Sequence, residues 1–338
     1  MLRKAGCNII GLSQRFGLPS PEAIMSSVQS SARSLSSNKP LVTDVSGIFP
    51  PIATPFDADG NLALNKLEHN ISLWNKVPLR GLAVLGSNGE VVYMRPEEKV
   101  EMIRHARKIL DPEKLVIGGA GCESTRDTID MCIKMSEAGA DVLMVVTPCY
   151  YKGRMTNESF VQHYTHVADE SPAPILLYSV PGNTGIDLSP EAVVKLASHP
   201  NIIGMKDSGG DIVKIGNIVH KTQHQEFQVL AGSAGFLLPA LVAGCVGGVC
   251  ASANMLGDAL CNLHSLYQQG KLKEAKELQQ RIIAPNAAVT KMFGIPALKA
   301  SMEWFGYYGG PTRLPLIPLK SDEVSKVRET FVNSGFLN

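Results

Sequence analysis

The sequence alternates eight short apolar runs with amphipathic segments, and this alternation is the feature that most limits its fold. The runs are rich in β-branched and aliphatic side chains, which is typical of buried strands in a parallel sheet. They cover 47–51, 81–85, 115–118, 142–146, 175–178, 202–206, 228–231 and 247–250. Eight strand–helix units without an antiparallel interruption predict a (β/α)8 TIM barrel. A doubly wound sheet is the competing fold, but it seldom needs eight units, and no early strand carries GxGxxG.

Helical periodicity lies between these runs and continues after the last of them. The seven intervening segments are 65–76, 96–110, 124–138, 157–169, 189–198, 211–221 and 234–243. Later segments follow at 257–269, 271–283, 285–293, 295–305 and 321–334. Since no linker separates the two sets, we predict a catalytic barrel over 44–255. We expect 256–338 to form a C-terminal helical extension packed on one side of it.

The first 43 residues differ in composition from the rest. Up to Pro40 they carry one acid, Glu22, but several basic side chains and a serine-rich tract at 26–37. Basic, serine-rich and acid-poor composition is typical of an organellar transit peptide. We predict import into the mitochondrial matrix and removal of this segment before Asp44. Plastid import and a merely disordered tail are the alternatives.

Charge and hydropathy exclude several function classes. The formal net charge is +1, so the chain lacks the basic excess that nucleic-acid and membrane-surface binding require. No apolar run is long enough to span a bilayer. We therefore expect neither a nucleic acid nor a membrane as partner.

Lys206 is the most informative single residue, because it ends the sixth apolar run just before the polar loop 207–211. Active sites of such barrels lie at the carboxyl ends of the strands. Burial there disfavours the charged form of a lysine amine, and a neutral amine is a nucleophile toward ketones. Tyr178 ends the fifth run, so neighbouring strands bring a phenol and an amine to one rim. A snorkelling lysine and a buried tyrosine are the structural alternatives.

Two other kinds of site are considered and disfavoured. Glycine-rich turns at 232–235 and 247–248 occupy the place where many such barrels bind phosphate, but no lysine or arginine accompanies them. His220 and His224 share a helix face, as do His163 and His166, yet neither pair has an acidic partner. We interpret all four histidines as solvated surface residues and expect no metal.

Four motifs in order resemble the dihydrodipicolinate synthase / N-acetylneuraminate lyase family of pyruvate-dependent class I aldolases. The resemblance covers the chain from about Val45 to the C-terminus. The motifs are Gly86-Ser87-Asn88-Gly89-Glu90, Thr147-Pro148-Cys149-Tyr150-Tyr151, Tyr178-Ser179-Val180-Pro181 and Gly204-Met205-Lys206-Asp207-Ser208.

The resemblance implies a role for each matching residue. Lys206 forms a Schiff base with the 2-oxo carbon of the substrate, and Tyr178 transfers protons. Ser87 and Asn88 hold the carboxylate of the pyruvate-like half, and Ser87 also links a proton relay. The covalent imine makes any metal or organic cofactor unnecessary.

Three further roles follow from the same resemblance. Tyr150 is similar to a family tyrosine that reaches into the neighbouring subunit's site, which implies a homo-oligomer, a tetramer built as a dimer of dimers. Ser208 and Gly232 contact the distal part of a small 2-oxo acid substrate.

The details of the motifs restrict the range of expected substrates. Synthase members carry an arginine shortly after the Tyr-x-x-Pro motif, whereas this chain has Gly182-Asn183-Thr184. Condensation with aspartate semialdehyde is therefore doubtful. The segments 145–155, 204–211, 230–236 and 304–311 most resemble mitochondrial members that cleave 4-hydroxy-2-oxoglutarate to pyruvate and glyoxylate. The alternatives are another pyruvate-dependent lyase or synthase of the family, and a catalytically silent barrel acting as a binding protein.

Overall fold

Eight parallel strands alternate with helices along the chain and form a single sheet, which confirms the predicted (β/α)8 barrel. The structure, a computed structural model, describes residues 43–338. The strands are β1 (Gly47–Phe49), β2 (Gly81–Val84), β3 (Leu115–Gly119), β4 (Val142–Val146), β5 (Ile175–Ser179), β6 (Ile202–Asp207), β7 (Gln228–Ala231) and β8 (Gly247–Val249). Their order in the sheet is β1-β8-β7-β6-β5-β4-β3-β2.

The two ends of this sheet meet where β1 approaches β2. Pro51 and Ala83 form an isolated parallel bridge, Ala83 N donates to Pro50 O at 3.0 Å, and Ile52 N donates to Ala83 O at 2.9 Å. Prolines have no N–H to contribute to a ladder. For this reason β1 ends at Phe49, before the predicted limit of 51.

A bulge in β6 sets the register of the two strands that carry the amine and the phenol. Ile175 pairs with Ile202, but Leu176 pairs with Gly204, so Ile203 is an extra residue in β6. Beyond the bulge, Tyr178 lies directly opposite Lys206.

Each of the seven helical segments predicted between the strands contains a helix. Ser189 caps one of them as expected, since its hydroxyl accepts from Ala192 N at 3.2 Å and Pro190 is the first helical residue. A four-residue helix, Pro181–Thr184, was not predicted, because it is too short to show a period. The helices are α1 (Leu64–Trp74), α2 (Pro96–Ile109), α3 (Thr125–Glu137), α4 (Asn157–Glu170), α5 (Pro181–Thr184), α6 (Pro190–Leu196), α7 (Ile212–Thr222) and α8 (Leu237–Val242).

Four more helices follow β8 and form the predicted C-terminal extension: α9 (Ala253–Gln268), α10 (Leu272–Ala287), α11 (Gly294–Trp304) and α12 (Ser321–Asn333). α9 begins at Ala253, but its backbone is kinked at Leu256, so the segment after the kink starts at the predicted position 257. The predicted break at Pro285 is wrong. α10 runs through this proline, and a π-helical turn, Ala288–Met292, follows it.

The extension is joined to the barrel by polar and aromatic contacts with α1 and the loop before it. Asn70 Nδ2 donates to Tyr308 O at 2.8 Å, and the Tyr308 hydroxyl donates to Phe56 O at 2.7 Å. The fully buried Trp74 ring stacks on Tyr307 with centroids 5.4 Å apart. Residues 43–338 consequently form one compact unit.

Two sequence predictions concern membranes and import. Within residues 43–338, no helix is both long and apolar enough to cross a bilayer. The predicted transit peptide, up to residue 42, lies outside the described residues.

Candidate active site

Lys206 lies near the carboxyl end of β6 with only 3% of its surface exposed. Its cross-strand neighbour on β5 is Tyr178, which is 5% exposed. The Lys206 Nζ lies 4.0 Å from the centroid of the Tyr178 ring. The two residues singled out from the strand ends are thus brought into direct contact in a site largely closed to solvent.

The Tyr178 hydroxyl is the centre of a small polar network. It lies 3.4 Å from Ser87 Oγ and is also hydrogen-bonded to Ser208 and Lys206. Burial by itself raises the pKa of Tyr178, but the charge of Lys206 and these three hydrogen bonds together bring that pKa below its ordinary value. The site therefore makes this phenol easier to deprotonate than a free tyrosine, which suits a group that exchanges protons.

Ser87 reaches this network from a tight turn after β2. The turn is a short 3-10 helix, Ser87–Gly89, flanked by two non-glycine residues with positive φ, Leu85 at 65° and Glu90 at 55°. Such left-handed conformations are strained and occur often at functional sites. Ser87 lines the cavity described below, whereas Asn88 is not among its lining residues. The structure thus brings Ser87, but not Asn88, to Tyr178.

Ser208 and Gly232 follow the strands β6 and β7 and contact each other. Ser208 Oγ donates to Gly232 O at 3.4 Å, and Gly232 N donates to Asp207 O at 2.7 Å. A Cβ at residue 232 would lie 2.0 Å from Ser208 Oγ, so only glycine leaves room for this hydroxyl. Ser208 acts on the hydroxyl of Tyr178, Gly232 leaves room for Ser208, and neither lines the cavity.

Tyr150 is placed differently from the other predicted site residues. It is 77% exposed, its ring packs edge-on against Tyr151 at 5.1 Å, and its hydroxyl has no hydrogen bond within residues 43–338. The segment is held by Glu123, whose Oε2 accepts from Cys149 N and Tyr150 N, each at 2.9 Å. Within one chain, then, Tyr150 does not reach the Lys206 site.

A cavity of about 520 Å³ opens beside Tyr178 and Ser87. This volume lies in the range of small-molecule sites. Thr147 contributes a buried hydroxyl that has no hydrogen-bond partner within the described residues. Ile295 and Leu316 line the cavity from the C-terminal extension. Sequence reasoning placed Thr147 in the motif after the fourth strand without giving it a role, and it did not assign Ile295 or Leu316 to the site, because their positions depend on how the extension folds back.

A buried ionic cluster fixes the backbone next to Lys206. Asp207 is fully buried, and its Oδ2 accepts from Lys214 Nζ at 2.8 Å. Lys214 also contacts Asp187, which accepts in turn from Ser179 Oγ at 2.7 Å. The cluster joins the ends of β5 and β6 to α7. Two acids around one lysine leave its charge well compensated.

The glycine-rich turn after β7 directs two of its amides at the protein itself. Gly232 N and Gly235 N are already bonded, to Asp207 O and Ser233 Oγ, so these amides are not directed at a ligand. No three His, Cys, Asp or Glu side chains cluster as metal ligands in the part of the chain that the structure describes.

One of the four histidines is not a surface residue, contrary to our interpretation. His163 is 7% exposed, and its Nδ1 lies 2.9 Å from Thr125 Oγ1. Its position on α4 faces the neighbouring helix α3, which the sequence period of α4 alone does not reveal.

Comparison with known proteins agrees with this geometry. The sequence model of the dihydrodipicolinate synthetase family matches residues 44–333. A 4-hydroxy-tetrahydrodipicolinate synthase from Methanoculleus marisnigri is 33% identical over 293 residues, which are 86% of this chain and 99% of the relative. A probable mitochondrial 4-hydroxy-2-oxoglutarate aldolase from Emericella nidulans is also 33% identical, over 302 residues, which are 88% of this chain and 96% of the relative.

A solved structure extends the match to three dimensions. A prophage protein of the dihydrodipicolinic acid synthase family from E. coli K12, in complex with pyruvate, superposes with a TM-score of 0.82 at 28% identity. The match covers 87% of this chain and all of that one. Because profile, relatives and structure agree over nearly all of residues 43–338, the chain belongs to the dihydrodipicolinate synthetase family of lyases.

Proposed function

We propose that this protein is a class I aldolase that cleaves 4-hydroxy-2-oxoglutarate to pyruvate and glyoxylate through an imine at Lys206. The observation that carries the proposal is the buried Lys206 amine lying 4.0 Å from the Tyr178 ring, beside a cavity of about 520 Å³. A nucleophilic amine and a phenol that exchanges protons are the two groups that imine chemistry needs.

The first half of the reaction joins the substrate to the enzyme. The Lys206 nitrogen attacks the C2 carbonyl, and the resulting carbinolamine loses water to give a protonated imine. Tyr178 and Ser87, 3.4 Å apart through their hydroxyls, carry the protons that this dehydration moves. Ser87 and Asn88 are proposed to hold the C1 carboxylate.

The second half breaks the carbon–carbon bond. The phenolate of Tyr178 accepts the proton of the C4 hydroxyl, the C3–C4 bond breaks, and its electron pair enters the iminium as an enamine. Glyoxylate leaves as the aldehyde. Protonation of the enamine at C3 and hydrolysis of the imine release pyruvate and restore Lys206. No electrons enter or leave the cycle, so no redox partner or metal is needed for its balance.

The choice of substrate is supported by one relative and by one departure from the synthase pattern. The aldolase of Emericella nidulans shares 33% of its sequence with this chain. Asn183 and Thr184, which stand where synthases carry their arginine, line the cavity with neutral side chains. The favoured reaction is therefore cleavage rather than condensation with aspartate semialdehyde.

We extend the proposal to assembly and location. An exposed aromatic pair, Tyr150 and Tyr151, is costly to leave in water and suits an interface. We propose a homotetramer, a dimer of dimers, in which Tyr150 enters the neighbouring site. We also propose residence in the mitochondrial matrix after removal of the N-terminal segment, because its composition is basic and acid-poor.

Trapping of the imine tests the proposal directly. Borohydride added with pyruvate should attach a three-carbon acid to Lys206, which peptide mass spectrometry locates. Lys206→Ala should abolish both trapping and turnover while leaving the circular dichroism spectrum unchanged. An unmodified Lys206 peptide after that treatment would sink the mechanism and favour the silent barrel.

The competing reading within the family is a lyase or synthase for a different 2-oxo acid. The two functions are distinguished by comparing kcat/KM across a panel of substrates. The panel includes 4-hydroxy-2-oxoglutarate, a sugar-derived 2-oxo acid, and pyruvate with aspartate semialdehyde. We expect the highest value for 4-hydroxy-2-oxoglutarate. A higher value for another member of the panel would replace the substrate while keeping the imine.

A further inference from the structure

The residues that directly follow the amine and the phenol form a second pair on the other side of the sheet. Ser179 lies opposite Asp207 in the register of β5 and β6, one residue beyond the pair formed by Tyr178 and Lys206. Successive side chains of a strand point to opposite faces, so this outer pair lies behind the site. Both of its members are fully buried. A displacement of the outer pair is passed to the inner pair, because each outer residue shares a peptide bond with an inner one.

Lys214 connects the two members of the outer pair. Its Nζ donates to Asp207 Oδ2 at 2.8 Å and also contacts Asp187. Asp187 Oδ1 accepts from Ser179 Oγ at 2.7 Å, so the contacts run from one strand end to the other through a single ammonium group. Lys214 is buried in the first turn of α7, where its backbone N–H donates to Asp211 Oδ1 at 3.0 Å. The start of the helix thus fixes the point from which this amine reaches both acids.

Asp207 also fixes the loop that follows β6. Its Oδ1 accepts from Gly209 N at 2.9 Å, and its carbonyl oxygen accepts from Gly232 N at 2.7 Å. Ser208, a hydrogen-bond partner of the Tyr178 hydroxyl, lies between the two anchored residues of this loop. A shift of Asp207 would therefore move a partner of the phenol together with the neighbouring amine.

We propose that Lys214 is a positioning residue for the imine chemistry, because it holds Asp207 and Asp187 together and thereby keeps the Lys206 amine against Tyr178. The inference rests on the proposed function, since it takes Lys206 and Tyr178 as the reacting pair. The distance to be maintained is the 4.0 Å between Lys206 Nζ and the centroid of the Tyr178 ring. Lys214 acts through the two strand ends and does not touch the substrate. A misplacement of reacting groups by about 1 Å can lower a rate about 10²-fold.

Deuterium exchange at the methyl group of pyruvate measures the imine step without the distal half of the substrate. In D2O the pyruvate imine loses a C3 proton to become the enamine and then takes up a deuteron, and proton NMR follows the loss of the methyl signal. Borohydride trapping with pyruvate counts the sites that form the imine, so the rate is expressed per competent site. Lys214→Met should lower this exchange kcat about tenfold or more, because the reacting pair is no longer aligned. The KM for pyruvate should change by less than about threefold, since the residues proposed to hold its carboxylate follow β2 and do not contact the cluster.

A double variant separates positioning from stability. Lys214→Met leaves the buried carboxylate of Asp207 without its cation, which destabilises the fold. Asp207→Asn combined with Lys214→Met removes both buried charges, and the amide oxygen can still accept from Gly209 N, so most of the lost melting temperature should return. The link between the two strand ends is still absent in the double variant, so its exchange kcat should stay low. Recovery of kcat together with the melting temperature would show a merely structural role and overturn the proposal.

Lys221→Met is the matched control, since it makes the same change at an exposed position near the end of the same helix. It should leave the exchange kcat and the melting temperature unchanged. A wild-type exchange kcat in Lys214→Met would also overturn the positioning role.

The same measurements distinguish failure of the positioning role from failure of the proposed function. If the wild type exchanges pyruvate but does not cleave 4-hydroxy-2-oxoglutarate, the proposed substrate fails, and the exchange rate of Lys214→Met still decides the positioning role. If the wild type cleaves this substrate and Lys214→Met exchanges at the wild-type rate, the function stands and the positioning role fails. If the wild type neither exchanges pyruvate nor is trapped by borohydride, Lys206 forms no imine and both proposals fail.

Discussion

At the scale of single residues, Tyr178 combines two opposing influences on its hydroxyl. Burial disfavours the phenolate, but the Lys206 charge and three hydrogen bonds favour it, and the balance lowers the pKa. Tyr164 offers a contrast, since its equally buried hydroxyl donates only to Val145 O at 3.1 Å. The pair allows the catalytic role of a tyrosine to be separated from its structural role.

Tyr178→Phe should lower kcat by about 10²-fold or more, because general acid–base catalysis contributes on that order. The phenolate is the active form, so wild-type kcat should rise with pH through a pKa below the ordinary value of about 10. This rise of kcat with pH should be absent in Tyr178→Phe and present in Tyr164→Phe. An unchanged kcat in Tyr178→Phe would remove this residue from the mechanism.

His163 gives a second prediction, about stability. Burial lowers its pKa from 6.5 to about 4. Between these values the unfolded chain binds a proton that the folded protein does not, so stability decreases as pH falls from 6.5 toward 4. The loss attributable to this residue is about 3 kcal/mol at the lower limit. Urea unfolding should show a shallower decrease for His163→Gln than for the wild type, and parallel curves would contradict the assignment.

The sequence alone was enough to predict the positions of some site residues but not of others. Lys206 and Tyr178 end apolar strands, and barrel geometry brings consecutive strand ends together. Lys99, which lines the cavity, lies in the first turn of a helical pattern, where the sequence alone indicates a solvated charge. Its position at the cavity follows from the turn between β2 and α2, which no periodicity specifies. The role of Asn88 was implied by the family resemblance and stays a prediction; in the structure Ser87 lines the cavity and Asn88 does not, because a 3-10 turn directs successive side chains apart.

At the scale of elements, a buried ion pair joins the turn after β2 to the C-terminal extension. Glu90, in the left-handed conformation, places Oε1 2.6 Å from Lys299 Nζ on α11 and accepts from Arg313 N at 2.8 Å through Oε2. Lys299 also donates to Pro311 O at 2.7 Å. Both partners are almost completely buried. The extension thereby holds in place the turn that presents Ser87.

Removing one member of this pair should cost more than removing both. Glu90→Gln leaves the buried charge of Lys299 without a partner, and Lys299→Met does the same to the charge of Glu90. Each single variant should lower the unfolding free energy by about 3–5 kcal/mol. The double variant buries no net charge and should be more stable than the sum of the single losses predicts. Lys326→Met, which breaks an exposed pair with Asp322, should hardly change stability. Additive losses, measured by urea unfolding, would show that the two residues are not coupled.

The limits of prediction at this scale have a physical origin. Buried parallel strands are recognisable because both faces are apolar, and all eight were predicted. The break at Pro285 was expected because proline lacks the N–H that an interior helical residue donates. Tertiary packing overrides this loss where α10 lies against the barrel and its partner helices, since Pro285 and Asn286 are buried there.

At the scale of the whole molecule, the folded barrel begins with residues that lie close to the predicted end of the transit peptide. Val45 is completely buried, and its N–H donates to Gln228 Oε1 at 2.9 Å. Gln228 Nε2 donates to Thr43 O at 2.9 Å, and Arg80 Nη2 donates to Asp44 O at the same distance. These contacts tie the start of the described chain to β7 and to the loop before β2, so they belong to the folded unit.

Two truncations should therefore behave differently. A chain beginning at Thr43 keeps every one of these contacts and should retain the melting temperature and kcat/KM of the full chain. A chain beginning at Gly47 loses three hydrogen bonds and the burial of Val45, which together cost about 3 kcal/mol. Its melting temperature should fall by several degrees, as differential scanning calorimetry would record. Equal stability of the two chains would place the boundary of the folded unit after Ser46, and loss of activity in the longer one would place it before Thr43.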